Sequence, residues 1–241
     1  MTILDVRGIS KRFGGLQALS DVTFSVPKGQ IIGLIGPNGA GKTTFFSTLV
    51  GLIRPDKGSV LLDGQPLAGL KPHRIAALGM TKTFQNVALF GESTVLDNVL
   101  TAGLLRHDVD AARDEALKCL DRVGLKAIAQ KQAGTLSFPE RARIELARAL
   151  CTGPKVLLLD EVMAALNPVE MQEIMDLIRS LRDDGITLLV VEHHMRAIMT
   201  ICDRILVLNF GRLLADGTPQ QIANDPQVVE AYLGRSMEKH Q

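Results

Sequence analysis

The residues with the clearest chemistry in this chain are Lys42 and Thr43, which end the glycine-rich segment GPNGAGKTT at residues 36–44. An apolar run of strand length, residues 30–35, precedes this segment, and a helix-competent run, residues 44–50, follows it. Glycines in such a strand-to-helix turn let backbone N–H groups point inward at phosphate oxygens, and the start of the helix adds positive charge. Lys42 would reach the outer phosphates of a nucleoside triphosphate, and the Thr43 hydroxyl would bind Mg²⁺. The pattern therefore predicts a phosphate-binding loop rather than a plain connecting turn.

Two adjacent carboxylates, Asp160 and Glu161, follow the apolar run at residues 155–159. At the end of a parallel strand beside a phosphate loop, the first carboxylate can hold the Mg²⁺ shell. The second, Glu161, is placed to orient or deprotonate the water that attacks a γ-phosphate. The alternative is that both side chains cap the following turn, and the phosphate loop favours the catalytic interpretation.

Two histidines, His193 and His194, stand just past a third apolar run, residues 186–191. A histidine past the end of a parallel strand reaches the same crevice, where it can donate a hydrogen bond to the γ-phosphate. A histidine at a strand end is more often structural, and only the other motifs favour a functional role. The spacing does not decide which of the two histidines takes that role.

Two further segments have both a functional and a structural interpretation. Phe13, beside two glycines, could stack on an adenine ring or anchor the hairpin of the first two strands, and the sequence alone favours the anchor. The segment LSFPE, residues 136–140, begins a helix. Ser137 and Glu140 predict a capping box there, and Pro139 lies in the first turn, where its missing N–H does least harm.

The composition of the 241-residue chain excludes several classes of protein. Its 27 basic and 26 acidic side chains leave a net charge of +1, which is not the balance of a nucleic-acid-binding protein. The longest apolar runs are far shorter than the ~20 residues that cross a bilayer, and the N-terminus lacks the pattern of a signal peptide. The three cysteines have no metal-ligand spacing, so we expect them to be buried in a reducing compartment, which indicates a cytosolic chain.

The elements that must position these residues follow from the hydrophobic pattern. Residues 3–9 and 22–26 predict two strands at the edge of an antiparallel sheet, joined by the segment KRFGGLQAL. From about residue 87 to residue 152 the pattern indicates helix throughout, and around this block alternating strands and helices predict an α/β fold. Without repeats or linkers, we predict a single domain, residues 1–241, with a helical lobe at about residues 88–155 inserted in the α/β core. The other predicted elements are strands at 30–35, 59–63, 80–85, 155–159, 186–191 and 205–208, and helices at 44–50, 73–78, 95–105, 111–123, 141–150, 169–182, 195–201 and within 218–234.

The chain resembles the nucleotide-binding subunit of an ABC transporter over essentially its whole length, through GPNGAGKTT, TKTFQNVALF, LSFPE, VLLLDE, AALNP and VEHH in this order. The resemblance implies a P-loop NTPase core with an antiparallel β subdomain and a helical subdomain. More narrowly, RFGGL, TFQNVALF and PQVVEAYLG are similar to one of the two ATPase subunits of bacterial branched-chain amino acid importers. Such a subunit hydrolyses ATP with Mg²⁺ to energise uptake of branched-chain amino acids or a related small polar solute.

The resemblance also implies the roles of individual residues. Glu161 becomes the catalytic carboxylate and His193 the switch histidine. Phe13 becomes the residue that stacks on adenine, and Gln85 contacts Mg²⁺ and faces the membrane partner. The implied Mg²⁺ ligands are Thr43, Gln85 and Asp160. The residues implied to bind ATP are Phe13, Gly36, Asn38, Gly39, Ala40, Gly41, Lys42, Thr43 and Thr44, with Ser137 serving the partner's ATP in trans.

The resemblance implies an assembly as well. Two ATPase subunits, identical or different, sandwich two ATP molecules, and each site pairs the phosphate loop of one subunit with the signature segment of the other. The further partners are transmembrane permeases and, indirectly, a periplasmic solute-binding protein, with no nucleic acid. The chain is then a peripheral protein at the cytoplasmic face of the inner membrane, and residues 85–90 form part of the surface that faces the permease.

The signature segment departs from the family pattern. Members carry LSGGQ or, in this subgroup, LAYGQ or LSYGQ, where this chain has LSFPE. Pro139 cannot donate a backbone N–H to the partner's γ-phosphate, and Glu140 places a negative charge near it, so we expect weakened closure around that ATP. Val162 and Ala165 also depart from the pattern, with less readily interpreted effects. Two alternatives stay open: a soluble ABC-type ATPase, and a low-turnover ATP-binding regulatory subunit, for which LSFPE is the argument.

Overall fold

The structure of the protein is a computed structural model, and it describes residues 1–83, 88–164 and 166–237. Gln85, the predicted Mg²⁺ ligand, and Ala165 lie outside the described residues. The strands in chain order are β1 (Thr2–Phe13), β2 (Leu16–Pro27), β3 (Ile31–Ile35), β4 (Lys57–Leu62), β5 (Gln65–Pro66), β6 (Met80–Lys82), β7 (Val156–Asp160), β8 (Thr187–Val191), β9 (Arg204–Asn209) and β10 (Arg212–Gly217). The helices are α1 (Lys42–Leu49), α2 (Pro72–Leu78), α3 (Val95–Gly103), α4 (Val109–Arg122), α5 (Phe138–Cys151), α6 (Pro168–Asp183), α7 (Met195–Ile201), α8 (Pro219–Ala223) and α9 (Pro226–Met237).

The central sheet has six strands in the order β10-β9-β3-β8-β7-β6. The strands from β9 to β6 are parallel, and β10 pairs antiparallel with β9. The carboxyl ends of β3, β8 and β7 therefore lie side by side at one edge of the sheet, which is where open α/β sheets bind ligands. The three motifs that follow these strands in sequence all start from this edge.

Alternate residues of the central strands face two separate hydrophobic cores. In β3, Ile32 and Leu34 face the core shared with α1 and with a second sheet, whereas Ile31 and Ile35 face the core shared with α5, α6 and α7. Because both faces are covered, these strands are continuous apolar runs. For that reason the sequence predicts β3, β7, β8 and β9 with bounds close to those observed.

The second sheet is antiparallel, with the strand order β2-β1-β4-β5. Its first two strands are longer than predicted, because most of the segment predicted to join them, residues 11–19, belongs to the hairpin itself. Asp56 stabilises the end of β1, since its carboxylate accepts the N–H of Arg12 at 2.7 Å and pairs with Nζ of Lys11 at 2.9 Å. Polar partners from another loop thus extend a strand whose own hydrophobic pattern ends at residue 9.

Helices α3, α4 and α5 lie between β6 and β7 and pack on one another through buried apolar side chains. All three helices were predicted, but the prediction that residues 87–152 are helical throughout is wrong. Two short 3₁₀ turns, Lys126–Ile128 and Ala133–Thr135, occupy the connection between α4 and α5. The N–H of Val95 donates to the carbonyl of Lys131 in this connection at 2.9 Å, so its conformation depends on contacts that the local pattern does not encode.

The predicted fold class is confirmed, with an α/β core, an antiparallel sheet and a group of helices. The division into one domain over residues 1–241, with a helical lobe at about residues 88–155, stays a prediction. The sequence did not predict β5 or β10, because β5 is very short and β10 is an edge strand whose residues are partly exposed. Edge strands lack the continuous apolar run that marks a strand buried on both faces.

The structure shows the environment of the cysteines and the length and apolar character of the helices. Cys119, Cys151 and Cys202 are all buried and free, as predicted. Among the helices of the described ranges, none combines the length and the apolar character needed to cross a membrane.

Candidate nucleotide-binding site

The phosphate loop between β3 and α1 has a conformation that requires glycine. Gly36 has a φ of 154°, and a Cβ there would lie 2.1 Å from the carbonyl oxygen of Leu208. Gly41 has a φ of 106°, and a Cβ there would lie 2.6 Å from the carbonyl oxygen of Ala18. Any larger residue would collide with backbone atoms at either position, so the two glycines allow β9 and β2 to pack directly against the loop.

Lys42 is the first residue of α1 and is buried inside the loop. Its Nζ donates hydrogen bonds to the carbonyl oxygens of Gly36 at 2.7 Å and of Pro37 at 3.3 Å. The ammonium group therefore lies within the curve of the loop. The loop forms a concavity, and the Lys42 ammonium and the N–H groups at the start of α1 make it positive. This concavity can therefore attract an anion.

The two carboxylates at the end of β7 have different surroundings. The Asp160 carboxylate is 3% exposed, and its Oδ2 pairs with Nζ of Lys82 at 2.8 Å. The backbone N–H of Asp160 donates to Oγ1 of Thr83 at 3.1 Å. Glu161 has a φ of 56°, and its N–H donates to the carbonyl of Val191 at 2.9 Å. A left-handed backbone at a non-glycine residue persists only where the surroundings constrain it, which is common at functional sites.

The structure distinguishes the two histidines between which the spacing alone did not decide. Nε2 of His193 lies 2.8 Å from Oε1 of Glu161. The His193 side chain is 55% exposed, whereas that of Glu161 is 16% exposed. His194 is the residue that precedes α7 and does not line the cleft that contains these groups. The fold therefore brings His193 to the carboxylate.

A cleft of about 300 Å³ contains most of the predicted nucleotide-binding residues. Its walls include residues 38–44 of the loop, Glu161, His193 and Phe13. The Phe13 side chain is about half exposed, and Nζ of Lys11 lies 5.4 Å from the centre of its ring. An aromatic face in the wall of a cleft can stack on a planar ring, and the adenine-stacking role of Phe13 stays a prediction.

Ser137 does not line this cleft but precedes α5, where the predicted capping box is present. Oε2 of Glu140 accepts hydrogen bonds from Oγ of Ser137 at 2.7 Å and from the Ser137 N–H at 2.8 Å. These hydrogen bonds hold the pKa of the Glu140 carboxyl below its ordinary value. The carboxylate is therefore charged at neutral pH, and the Ser137 hydroxyl is directed to it. The role of Ser137 in trans stays a prediction.

Two buried charged residues beside the site were missed by the sequence reasoning. Lys82, at the end of β6, pairs with Asp160, and Glu192 lies directly before His193. Both are less than a tenth exposed. A charged residue at the end of a buried strand requires a partner, and that is the signal by which they could have been found.

The residues of the cleft fit a nucleoside triphosphate with bound Mg²⁺. The loop offers backbone N–H groups and the Lys42 ammonium to phosphate oxygens. The Thr43 hydroxyl in the cleft wall would supply one hard oxygen ligand of the kind that Mg²⁺ prefers. The Asp160 carboxylate, which is buried at the end of β7 and does not line the cleft, would supply another. A parallel sheet with this loop and this pair of carboxylates at its carboxyl edge defines a P-loop nucleoside triphosphatase.

Within that class the chain belongs to the ABC transporter family, which matches residues 19–164. A second family, Branched-chain amino acid ATP-binding cassette transporter, matches residues 212–237. The high-affinity branched-chain amino acid transport ATP-binding protein BraF of Pseudomonas aeruginosa is 43% identical, over 97% of this chain and 98% of its own length. The protein of the same description from Escherichia coli K12, LivG, is 44% identical with the same coverage of 97% and 98%. A nucleotide-free ATP-binding cassette from an ABC transporter has a similar structure, with a TM-score of 0.89 and 30% identity over 96% of this chain and 99% of that one.

The chain is therefore an ATP-binding and ATP-hydrolysing subunit of an ABC transporter, with ATP and Mg²⁺ as its ligands. Cassettes of this family work as dimers with transmembrane permease subunits and are themselves peripheral to the membrane. These relationships favour a transport subunit over the two alternatives, an ABC-type ATPase that acts without a membrane and a low-turnover regulatory subunit.

Replacing Lys82 by Met is expected to destabilise the protein by about 3–5 kcal/mol, because it leaves the buried Asp160 carboxylate without the Lys82 cation. Urea unfolding monitored by circular dichroism measures this loss. Lys82→Arg keeps the positive charge, so its free energy of unfolding should fall much less. Combining Lys82→Met with Asp160→Asn removes both charges and should recover most of the stability. If the single and the double variant lose equal amounts of stability, the loss does not come from an unpaired Asp160 charge, and the prediction is contradicted.

Proposed function

We propose that this subunit energises the uptake of branched-chain amino acids or related small polar solutes. The match of residues 212–237 to the branched-chain amino acid cassette family carries the proposal. These residues form β10, α8 and α9. Support also comes from BraF and LivG, which are similar to this chain over nearly its whole length. The proposal concerns the complex in which the subunit works, because the cleft described above fits a nucleotide rather than the transported solute.

The loop and its neighbours are proposed to hold the nucleotide. Backbone N–H groups of residues 38–44 and the Lys42 ammonium bind the phosphates, and Phe13 stacks on the adenine. Thr43 and Asp160 provide Mg²⁺ ligands, together with Gln85 as the resemblance implies. Asp160 also pairs with Lys82 at 2.8 Å, which restricts the position of its carboxylate.

Glu161 and His193 are proposed to carry the hydrolysis. When bound, ATP with Mg²⁺ supplies an anhydride whose developing charge the metal ion neutralises. Glu161 orients the attacking water and accepts its proton. Nε2 of His193 lies 2.8 Å from the Glu161 carboxylate. When ATP is bound, the His193 ring is proposed to donate its hydrogen bond to the γ-phosphate instead.

The surface proposed to face the permease includes Phe90, at the end of segment 85–90. Phe90 is 58% exposed, whereas Asn98 behind it is fully buried. The Asn98 side chain accepts the N–H of Phe90 at 2.9 Å and donates to the carbonyl oxygens of Phe90 at 3.0 Å and Thr94 at 2.9 Å. The backbone that carries this exposed aromatic side chain is thus held rigidly on α3. A rigidly held, exposed aromatic residue supports a protein contact at this position.

We place the subunit at the cytoplasmic face of the inner membrane, with two permeases and, indirectly, a periplasmic solute-binding protein. The second ATPase subunit is proposed to be a different chain. A homodimer would carry the altered LSFPE segment at both of its ATP sites, whereas a different partner supplies one ordinary signature. The charged Glu140 carboxylate supports this choice, because it would face an anionic ligand.

Transport by a reconstituted complex tests the proposal. The chain is assembled in proteoliposomes with the permeases and the solute-binding protein encoded by neighbouring genes, and uptake of radiolabelled leucine is measured with ATP enclosed. We expect ATP-dependent accumulation, and none when Lys42→Ala replaces the unmodified chain. A complex that hydrolyses ATP but accumulates neither a branched-chain amino acid nor a related small polar solute would contradict the proposal.

A further inference from the structure

Glu192 lies beside the two proposed catalytic side chains without lining the cleft. It directly follows β8 and is 3% exposed. Its Oε1 accepts the backbone N–H of Met163 at 2.7 Å, and Met163 is itself fully buried. The Glu192 side chain therefore joins the end of β8 to the turn that follows Glu161.

Two further contacts join the same two segments. The backbone N–H of Glu161 donates to the carbonyl of Val191 at 2.9 Å. Nε2 of His193 lies 2.8 Å from Oε1 of Glu161. The left-handed backbone of Glu161, with a φ of 56°, is of the kind that persists only where several contacts fix it. The contact made by Glu192 is a buried side-chain hydrogen bond, and it involves neither proposed catalytic side chain.

The surroundings of Glu192 disfavour its ionised form. Burial raises the pKa of Glu192 to about 7, and hydrogen bonds from the backbone N–H groups of Met163 and His193 oppose the rise. The second oxygen, Oε2, is buried and has no hydrogen-bond partner among the described residues. Either form of the carboxyl can accept the buried N–H of Met163. The ionised form in addition places negative charge on Oε2, which is buried and has no partner among the described residues.

The charged groups that face Glu192 come from the end of β7 and the turn after it. The negative charges of Glu161 and Asp160 both raise the pKa of Glu192. Asp160 already pairs with Lys82 at 2.8 Å, and Glu161 contacts His193. Ionisation of Glu192 would therefore add a third carboxylate to a cluster in which the Lys82 ammonium group already pairs with Asp160.

We propose that Glu192 is a positioning residue that holds the Glu161 turn and the His193 segment in the register needed for ATP hydrolysis. It acts through the N–H of Met163 and not on the nucleotide. The inference rests on the proposed roles of Glu161 and His193, and it is independent of which solute the complex transports.

Steady-state kinetics of three variants tests this role. Glu192→Ala is expected to lower kcat by ~10²-fold, the effect of a small displacement of catalytic groups. Its Kd for a non-hydrolysable ATP analogue should stay within about threefold, because the phosphate loop is unchanged. Glu192→Gln keeps an oxygen for the N–H of Met163 and should recover most of kcat. Glu145→Gln is the matched control, since Glu145 is another buried carboxyl with a raised pKa but lies on α5, outside the cleft.

The pH profile distinguishes positioning from simple packing. The ratio of kcat of the unmodified protein to kcat of Glu192→Gln should fall as the pH rises from about 6 to about 8, because only the unmodified side chain ionises. A constant ratio over this range overturns the proposal, and so does a Glu192→Ala variant with unchanged kcat. If Glu192→Ala does not fold, Glu192→Met decides in its place, because it keeps a side chain of similar volume but offers no oxygen to the N–H of Met163.

A fourth variant separates this inference from the proposed catalytic roles. If Glu161→Gln hydrolyses ATP normally, the assignment of Glu161 itself is wrong. If Glu161→Gln is inactive while the Glu192 variants behave like the unmodified protein, only the positioning role of Glu192 is overturned.

Discussion

Replacing Glu161 by Gln is expected to lower ATP turnover by ~10²–10⁴-fold, the usual contribution of a positioned general base. The Gln side chain has nearly the same shape but cannot accept the proton of the attacking water. ATP binding should be unchanged, because the phosphate loop and Lys42 are not altered. Phosphate release from the complex measures turnover, and equilibrium binding of ATP measures affinity.

The control for this prediction is Glu230→Gln, which makes the same chemical change at an exposed position on α9. It should leave turnover as it is. A Glu161→Gln variant that keeps a tenth or more of the turnover would show that another group accepts the proton. Glu161 would then serve mainly to fix His193, with which it shares a contact of 2.8 Å.

Restoring the signature with Pro139→Gly and Glu140→Gln is expected to strengthen ATP-dependent dimerisation of the isolated chain by on the order of 10–1000-fold. Two hydrogen bonds from Ser137 keep the Glu140 carboxylate ionised. In a dimer this charge would face the triphosphate of the other subunit, and like charges ~4 Å apart repel by about 4 kcal/mol at the dielectric of a protein surface. Glycine also returns a backbone N–H that proline lacks.

Sedimentation velocity with Mg²⁺ and ATP measures this effect, in a background of Glu161→Gln so that the nucleotide is not consumed. Glu230→Gln in the same background removes one exposed negative charge elsewhere and should change nothing. Higher salt should strengthen dimerisation of the chain with the unmodified signature, because screening weakens the repulsion between Glu140 and the triphosphate. Tight ATP-dependent dimerisation of Glu161→Gln with its own LSFPE segment would contradict the prediction.

In the assembled transporter the two ATP sites are expected to face different signature segments. Beside a partner with an ordinary signature, we expect the ATP at Lys42, Glu161 and His193 of this chain to have a complete set of groups. The ATP held by the partner would face the LSFPE segment instead. The two sites of the complex should then differ, with hydrolysis occurring mainly at the one in this chain.

Features that depend on near neighbours in the chain were predictable from sequence. The phosphate loop is one, because its glycines are required by the backbone torsions of single positions, such as the φ of 106° at Gly41. Helix α6 is another, since Asn167 and Glu170 form a capping box that marks its start. The predicted helix at residues 195–201 is confirmed by α7, Met195–Ile201.

Features that depend on which strands become neighbours were not predictable. Nothing in the local pattern places β8 between β3 and β7, and that order brings Glu192 and His193 against the turn after Glu161. The ion pair of Lys82 with Asp160 arises in the same way, from the pairing of β6 with β7. The contact of His193, rather than His194, with Glu161 also follows from this packing, and so does the edge strand β10.

The sequence by itself determined the chemical groups of the ATP site and the strands that end in them. The tertiary structure decided the distances between these groups, and burial within it raises the pKa of the neighbouring Glu192. A hydrogen bond needs a partner, and the pKa of a carboxyl depends on burial and neighbouring charges. For Glu192, Asp160 and Glu161, those partners and that burial come from strands that are distant in the chain and adjacent only in the folded sheet.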